Sequence, residues 1–493
     1  MTRLSRRRFL QGTVALTVCG PRATRARASD TRGTLRLSHV LEWEGKESLD
    51  PASPRRMFPC VELLYSRLVK LDRLGLPEAD LAVKWSSDAT AKTWRFELRP
   101  GVTFHDGSKL TAGDVVATVR HAVDPAVGSP GAAALAIVDP ARVRADGDAV
   151  VFELKRPHAD FPLLLSHYSC YVARDGIGTG PFKLETLAPE GVTTLVANDA
   201  YFGGKPGLAR IEVAGIADQE ARVNALLAGQ LDFLGGFSAA AAETLKGDAR
   251  FRLDELPTGA YCCMAMRVDR APFDRAEVRQ AFKLAADRPR LIKAALGGHG
   301  VVAADQPVWP GDPYAPELPP GRDVARARAL LAKAGFPAGV DVTLVTAPVT
   351  DGLVAMATAY REMAAEAGIR VTLRQAPADG YWEQVWRKEP FCCSSWGERP
   401  ADQALNELFR AGAPWNETAW HSDAFEALLD RARAELDRAK RRALYREAAG
   451  MVASDAGSLI PFYRNQMRAV SRKMQGIAAD RADFDWARVA IEA

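Results

Sequence analysis

The sequence contains few segments whose residue types and spacing could carry out chemistry. Residues 104–107 (Phe-His-Asp-Gly) place an imidazole beside a carboxylate, a pair that can relay protons or bind a metal. No second histidine or cysteine lies nearby at the spacing of a metal ligand. We therefore expect a strand end followed by an Asp-Gly turn, with His105 packed beside it.

A glycine-rich segment at residues 176–180 (Gly-Ile-Gly-Thr-Gly) superficially resembles a dinucleotide-binding loop. Such a loop needs a helix after it, so that the helix N-terminus faces the phosphates. Pro181 and the alternating residues 182–185 indicate a strand instead, which predicts a structural turn.

Enzyme motifs are absent from the sequence. It contains no Gly-x-Ser-x-Gly elbow, no His-Glu-x-x-His and no Walker lysine loop. We predict no catalytic residues, no metal site and no cofactor. A secreted hydrolase that grips peptides is kept as an alternative.

Two pairs of adjacent cysteines fall on predicted strands, Cys262-Cys263 and Cys392-Cys393. Adjacent strand residues point to opposite faces, so at most one member of each pair can face a given partner. We predict one disulfide between the pairs, closing a loop of about 130 residues and stabilising the protein by about 2–4 kcal/mol. The alternative is buried free thiols, which behave as small apolar side chains. CxxC spacing is absent, which argues against structural zinc.

The N-terminus has the three regions of an export signal in order. Residues 5–11 (Ser-Arg-Arg-Arg-Phe-Leu-Gln) resemble the twin-arginine signal, and a modestly apolar run follows over residues 12–19. Ala26 and Ala28 then supply a small-x-small cleavage pattern. We predict a signal peptide over residues 1–28, cleavage after about Ala28 and a periplasmic mature protein.

Removal of this signal changes the charge balance. Residues 1–28 hold seven arginines and no acid, so the mature chain would carry 58 basic and 61 acidic side chains, a net of −3 rather than +4. A near-neutral chain without a basic stripe is not expected to bind nucleic acid. The mature length of some 465 residues exceeds what one core usually holds, which predicts two or more lobes.

The elements that must position any site alternate between strands and helices. Thr111 and Asp114 form a capping-box pattern, Asp323 is an N-cap candidate, and Gly335 lies where a helix should end. Strands alternating with helices predict mixed α/β sheets. The predicted strands include 33–38, 94–99, 340–346, 369–373 and 391–395, and the predicted helices include 324–331, 353–367, 423–436 and 438–454.

Several ordered segments resemble the peptide/nickel class of extracytoplasmic solute-binding proteins, family 5. The resemblance covers essentially all of residues 31–475. Its segments are Leu-Asp-Pro at 49–51, the run from Trp94 through Phe-His-Asp-Gly to Ala-Gly-Asp-Val at 112–115, Gly-Thr-Gly-Pro-Phe at 178–182, Pro-Phe at 272–273, Val-Arg-Gln-Ala at 278–281, and Ala-Arg-Ala-Leu-Leu at 327–331.

The resemblance implies a periplasmic binding protein-like α/β fold of type II with an extra subdomain. Two lobes would flank a ligand cleft at a hinge and close on the ligand like a Venus flytrap. By this resemblance, lobe I would comprise residues 29–55, 175–262 and 465–493. Residues 56–174 would form its inserted subdomain, and residues 263–464 would form lobe II.

Cleft residues on lobe I are expected after the first strand, because ligands of open α/β sheets sit beyond the carboxyl ends of strands. Glu42 and Trp43 lie there, an acid and an aromatic side chain, with Glu44 beside them. We interpret Glu42 and Trp43 as ligand-binding residues.

Cleft residues on lobe II are expected after the strand at 391–395. Peptide binders of the family place an aromatic residue and an acid there, and the acid pairs with the peptide α-ammonium. Trp396 and Asp402 take these roles by resemblance, although the segment departs from the commoner Trp-x-x-Asp-Tyr-x-Asp-Pro pattern and Glu398 competes with Asp402. Arg399 either binds the peptide carboxylate or braces its own loop. Trp415 and Asn416 supply further aromatic and amide contacts.

Together these features predict the substrate-binding component of an ABC importer. It would capture peptides by closure and deliver them to the permease subunits in the membrane. We expect a monomeric mature protein. Another cargo on the same fold, such as a metal chelate, an opine or an oligosaccharide, is the main alternative.

Overall fold

The alternating residues predicted as the first strand do form one, at Thr34–His39. In the computed structural model, the described residues are 32–72, 74–319, 321–479 and 485–492. The predicted signal peptide, residues 1–28, lies outside this range. Among the helices of the described residues, none is long and apolar enough to cross a membrane.

The strands are short in the first half of the chain, and two of the later ones are long. They are β1 (Thr34–His39), β2 (Ser66–Arg67), β3 (Val69–Leu71), β4 (Pro77–Ala79), β5 (Ala82–Ser87), β6 (Thr93–Leu98), β7 (Val138–Asp146), β8 (Ala149–Leu154), β9 (Tyr171–Val172), β10 (Phe182–Thr186), β11 (Val192–Ala197), β12 (Arg210–Gly215), β13 (Phe233–Phe237), β14 (Phe251–Met266), β15 (Gly300–Val302), β16 (Val340–Thr346), β17 (Ile369–Gln375), β18 (Phe391–Trp396), β19 (Ser458–Ser471), β20 (Met474–Gln475) and β21 (Ala490–Ile491).

The longer helices concentrate in the second half of the chain. The helices are α1 (Cys60–Leu64), α2 (Ala112–Val123), α3 (Gly131–Ala134), α4 (Phe161–Leu164), α5 (Gln219–Leu227), α6 (Ala239–Leu245), α7 (Ala276–Ala285), α8 (Arg288–Leu296), α9 (Val324–Lys333), α10 (Leu353–Ala365), α11 (Tyr381–Gln384), α12 (Ala401–Phe409), α13 (Asp423–Ala434) and α14 (Arg438–Asp455). Two 3₁₀ turns lie at Tyr168–Cys170 and Trp486–Arg488.

Three larger sheets organise these elements. The first has the strand order β1-β12-β11-β10, with β1 parallel to β12. The second is the antiparallel sheet β5-β6-β8-β7. The third has the order β13-β19-β14-β18-β16-β17, with β15 also paired to β19. These mixed sheets confirm the predicted α/β class.

Local sequence signals determine where several helices begin and end. Asp114 accepts a hydrogen bond from the Thr111 backbone N–H at 2.8 Å at the start of α2. Asp323 accepts one from the Arg326 N–H at the start of α9, and Gly335 follows that helix with φ of +87°. The capping signals at these three positions are therefore confirmed.

The apolar residues divide into separate clusters. One cluster, behind the sheet of β5 to β8, draws its buried residues from positions 52–172. A second surrounds β1, β11 and β12, and includes buried residues near the C-terminus such as Val489. Two more, on the two faces of the sheet containing β14 and β18, draw theirs from positions 261–463.

The long strands β14 and β19 cross between these regions. They are antiparallel from Phe251 opposite Ser471 to Ala265 opposite Ser458. One end of the pair lies beside β13, and the other lies in the middle of the sheet beside β18. Residues near both ends can therefore be coupled mechanically through continuous strands.

Candidate functional site

A cavity of about 810 Å³ lies at the carboxyl end of β1. We call it the main cavity. Its walls come from β1, from β13 and from the crossing strands, which contribute Leu256, Gln466 and Arg468. This volume is in the range of small-molecule binding sites. The position agrees with the expectation that ligands lie beyond strand ends.

Three basic side chains in the wall of the main cavity have acidic partners. Arg468 forms an ion pair with Asp254 at 2.9 Å, and both side chains are almost fully buried. Two other pairs in the cavity wall are longer: Lys70 with Glu78 at 3.9 Å and Arg488 with Asp485 at 3.3 Å. Within each pair the two opposite charges neutralise each other. These residues therefore offer little net charge with which to bind a ligand.

Arg56 differs from these paired residues. Its guanidinium carbon lies 3.7 Å from the ring centroid of Tyr168 and 4.9 Å from that of Phe58. Among the described residues it forms no ion pair, and its Nε is buried without a hydrogen-bond acceptor. Burial lowers the pKa of Arg56, while Tyr168 and Glu42 act in the opposite direction. The aromatic rings thus hold a cation that no carboxylate neutralises directly.

Arg222, on α5, is the second such cation in the wall of the main cavity. It also forms no ion pair within the described part of the chain, and its Nε is buried without an acceptor. Burial lowers the pKa of Arg222, opposed by the charges of Asp218 and Glu42. Neither Arg56 nor Arg222 was singled out from the sequence, because an arginine in a polar segment carries no signal of this kind.

The two ligand-binding residues predicted after β1 have different positions relative to the main cavity. Glu42 lines the main cavity and is exposed. Trp43 is 40% exposed, and its backbone N–H donates to Glu47 Oε1 at 2.9 Å. Trp43 is not part of the cavity wall. Its predicted ligand contact therefore has no support from this structure, whereas Glu42 has the right position.

Four tryptophans form an exposed-to-half-buried surface at the end of β18, which we call the aromatic patch: Trp382, Trp386, Trp396 and Trp415. The buried carboxylate of Glu417 holds two of them, accepting from Trp386 Nε1 at 2.7 Å and from Trp396 Nε1 at 3.0 Å. Sequence analysis placed Trp396 and Trp415 in the cleft, and the structure brings the two rings within 6.1 Å of each other.

Arg399 packs against the aromatic patch. Its guanidinium carbon lies 5.2 Å from the Trp396 ring and 5.1 Å from the Trp415 ring. Its Nε also forms an ion pair with Glu407 at 3.3 Å. Glu398, the competing acid, accepts a hydrogen bond from the backbone N–H of Gly259 on β14 at 2.7 Å. Arg399 therefore braces its own surroundings, as one of the two interpretations expected.

His167 connects the aromatic patch electrostatically with the main cavity. Its ring lies 3.9 Å from the Tyr168 ring, on which Arg56 also rests. Burial and the positive charges of Arg56, Arg67 and Arg399 lower the pKa of His167 to about 4. Arg399 from one side and Arg56 from the other therefore act on the same imidazole, which stays neutral at physiological pH.

Asp402 is not exposed to the main cavity, which corrects its predicted role. It is 2% exposed and sits in the first turn of α12. Its oxygens accept hydrogen bonds from Arg433 Nε at 2.7 Å and Nη2 at 2.8 Å, from His158 Nε2 at 3.0 Å and from Tyr445 OH at 2.7 Å. Because both oxygens are occupied, Asp402 cannot bind a ligand ammonium without breaking this network.

The charges around Asp402 dominate its ionisation. Burial disfavours the carboxylate, but the charges and hydrogen bonds of Arg433 and His158 hold its pKa well below the usual range. A second buried pair lies beside it: Asp160 accepts from Tyr314 OH at 2.8 Å and pairs with Arg441 at 2.9 Å. We call these residues the buried network. It joins the segment at 158–160 to α12, α13 and α14.

Asn416 also has a structural role in place of the predicted ligand contact. It is 8% exposed, and its Nδ2 donates to the backbone carbonyls of Trp420 at 2.8 Å and Arg410 at 3.2 Å. These bonds close the loop between α12 and α13. The amide is therefore committed to the backbone.

The cysteines of the two pairs are free and buried, so the predicted disulfide is not formed in this structure. The strand register gives the physical reason. On adjacent strands β14 and β18, Cys262 lies opposite Ser395 and Cys263 lies opposite Ser394, so no two cysteines face each other directly. The cysteines are buried thiols, which was the alternative expectation. Burial raises the pKa of Cys262 to about 11.

The Phe-His-Asp-Gly segment at residues 104–107 contacts the glycine-rich segment at residues 176–180. His105 Nε2 lies 3.2 Å from the carbonyl of Gly180, and burial lowers the pKa of His105 to about 4. A Cβ at Gly178 would lie 1.9 Å from the carbonyl oxygen of Leu64. The glycines thus allow a close backbone approach to α1, which confirms the structural interpretation of both motifs. Among the described residues no cluster of metal-ligating side chains occurs.

The fold consists of several α/β regions joined by long crossing strands. A large cavity lies at strand ends, with an aromatic patch nearby. This combination is typical of the class of binding proteins. The profile of the bacterial extracellular solute-binding proteins, family 5, matches residues 77–416. This chain belongs to that family, whose members bind solutes outside the cytoplasm.

Individual relatives agree with this assignment along most of the chain. The chain is 26% identical over 467 residues to the dipeptide-binding protein of Escherichia coli K12, covering 85% of this chain and 86% of that protein. It is 26% identical over 426 residues to the glutathione-binding protein GsiB of Pectobacterium atrosepticum, covering 80% and 82%.

A solved structure also matches the fold. The crystal structure of the ABC transporter substrate-binding protein CtaP from Listeria monocytogenes superposes with a TM-score of 0.81 at 20% identity. The match covers 93% of this chain and 99% of that one. The predicted binding-protein fold is thereby confirmed.

Proposed function

We propose that this chain is the ligand-capturing component of an ABC importer, that it binds peptides in the main cavity, and that it delivers them to permease subunits. The observation that carries this proposal is the main cavity itself, of about 810 Å³, at the carboxyl end of β1 and beside the crossing strands. Such a volume suits a short peptide. Two relatives described above, a dipeptide-binding protein and a glutathione-binding protein, are consistent with it.

We further propose that residues 29–55, 175–262 and 465–493 form lobe I, that residues 56–174 form its subdomain, and that residues 263–464 form lobe II. The separate hydrophobic clusters support a division into several regions, although buried residues at 57–65 pack in the cluster of β1, β11 and β12. The crossing strands β14 and β19 would then act as the hinge. Every lining residue of the main cavity falls in the proposed lobe I or its subdomain. Closure would bring lobe II against a peptide held there, and that peptide would favour the closed state by its differential affinity for it.

Thermal unfolding tests the peptide proposal. Residues 29–493, freed of ligand by unfolding and refolding, should show a rise in Tm with a subset of a synthetic dipeptide library. A ligand present at 100 times its Kd stabilises the folded state by about 2.7 kcal/mol. Arg56→Gln should lose this rise, whereas Arg488→Gln, whose arginine is already paired in the same wall, should keep it. If no dipeptide shifts the Tm, peptide binding is refuted.

The same incubations address the hydrolase alternative. Chromatography of the dipeptides after prolonged incubation with the protein should recover them intact, since we assign no catalytic residues. Turnover that disappears in cavity variants would overturn the assignment as a binding protein.

For export, we propose that residues 1–28 form a twin-arginine signal. Replacing Arg6 and Arg7 by lysine should leave the precursor in the cytoplasm, because the export receptor reads this pair. Normal periplasmic levels of the double variant, measured by cell fractionation, would contradict the signal assignment.

A further inference from the structure

The charged side chains of the main cavity that form no ion pair constrain the charge of the ligand that it can bind. Arg468, Lys70 and Arg488 have carboxylate partners. Arg56 and Arg222 form no ion pair among the described residues, and each keeps a buried Nε without an acceptor. Both side chains are half-buried, and a charge-assisted hydrogen bond to a carboxylate delivered by a ligand would satisfy the buried Nε of each.

The acids that face these two arginines are few. The charge of Glu42 acts on both Arg56 and Arg222, and that of Asp218 acts on Arg222. Asp218 is committed as the N-cap of α5, where it accepts from the Ala221 N–H at 2.7 Å. Glu42 forms no ion pair among the described residues and remains exposed to the cavity. Glu62 and Asp80 also line the cavity, and Asp80 accepts a hydrogen bond from the Arg67 backbone N–H at 2.8 Å. Glu42 is the cavity carboxylate whose charge acts on both guanidinium groups.

We propose that the peptide bound in the main cavity is acidic, with one side-chain carboxylate in addition to its terminal carboxylate. This inference rests on the proposed function. Arg56 and Arg222 would each take one carboxylate, and Glu42 would take the ammonium.

The surroundings of the main cavity also favour a negatively charged peptide. Arg399 acts on His167 from the side of the aromatic patch, as Arg56 does from the cavity side. The acid expected to attract an ammonium from that side, Asp402, is instead enclosed in the buried network. A cationic peptide in the main cavity would therefore face Arg56 and Arg222 without the ammonium-binding acid that Asp402 was expected to supply.

The dipeptides Ala-Glu and Ala-Gln test this inference, because they have nearly the same shape and differ by one charge. Isothermal titration should give an affinity for Ala-Glu at least about tenfold higher than for Ala-Gln, since a charge-assisted hydrogen bond replaces a neutral one. Ala-Lys should bind more weakly than either. Equal or tighter binding of Ala-Gln would overturn the inference while leaving peptide binding in place.

Two variants locate the effect. Arg222→Gln should reduce the Ala-Glu to Ala-Gln affinity ratio towards one, and Arg56→Gln should do the same. Arg488→Gln should leave the ratio unchanged, since it removes a paired charge from the same wall. Because Arg56 also packs on Tyr168, the Arg222 variant decides the outcome if the Arg56 variant does not fold. An unchanged ratio in a folded Arg222→Gln protein would refute its assigned role. If neither dipeptide binds the wild-type protein while other dipeptides of the library raise its Tm, the inference fails and the proposed peptide function stands; if no dipeptide of the library binds, both fail.

Discussion

Replacing Asp402 by alanine should mainly affect stability. In the structure this carboxylate accepts hydrogen bonds from Arg433, His158 and Tyr445, and it is 2% exposed. The substitution would leave Arg433 and His158 without their common anion, in a region from which water is excluded.

The magnitude follows from the cost of an uncompensated buried charge. Removing one partner of a buried ion pair typically costs about 3–5 kcal/mol. Total stabilities of proteins are about 5–15 kcal/mol, so this loss would be a large fraction of the whole. With a urea dependence of about 3 kcal/mol per molar, the unfolding midpoint should fall by about 1–1.7 M.

The assay is urea unfolding at pH 7, followed by tryptophan fluorescence and circular dichroism. Asp423→Ala is a suitable control, because that side chain is 99% exposed at the start of α13 and contacts only His421 at 3.3 Å among the ion pairs described. The control should lose less than about 1 kcal/mol.

Two results would refute this reasoning. If Asp402→Ala unfolds at the same urea concentration as the wild type, the buried network does not carry the stability we assign to it. If the variant instead keeps its stability and loses peptide affinity, Asp402 contacts the ligand, and the role first expected from the sequence would be restored.

Three further predictions concern stability. The difference in unfolding free energy between wild type and Asp402→Ala should shrink as the pH falls below about 4. A carboxyl with a lowered folded pKa contributes its full stabilisation above its unfolded pKa and loses it progressively as the pH falls through the folded pKa; urea titrations at pH 7 and pH 3 would measure it. Lys283→Met should destabilise by about 1–3 kcal/mol, since the buried ammonium donates to three carbonyls near the end of α14. It should also abolish a rise in stability from pH 8 to 10, because burial lowers the folded pKa of Lys283 to about 8, below its unfolded value. Gly178→Ala should lower the Tm through its clash with Leu64, whereas Gly450→Ala, inside α14 with open space around it, should raise stability by about 0.5–1 kcal/mol.

Local patterns in the sequence predicted many of the elements closely. The strand at 340–346 has the predicted bounds, and the helix predicted over 353–367 spans Leu353–Ala365. The N-cap at Asp323 and the turn at Gly335 also follow the sequence. Such features depend on residues within a few positions of each other, which periodicity and capping patterns describe well.

The candidate site was predicted less well, because it depends on contacts between distant positions. Asp402 follows the right strand and has the right residue type for a ligand contact. Its network, however, includes His158, which lies 244 positions away. Whether a carboxylate faces a cavity or an internal arginine is decided by that packing. Arg56 was missed for the same reason, since only the folded chain brings it onto Tyr168 and into the cavity wall.

The main cavity and the buried network are built from different residues. The crossing strands contribute Leu256 and Gln466 to the main cavity, and further along β14 Tyr261 lies opposite Trp396 of the aromatic patch. The buried network consists only of protein groups, so its contribution is the same with and without ligand. Ligand selectivity must then come from the few unpaired charges of the cavity, because a ligand shifts a conformational equilibrium only by its differential affinity for the two states.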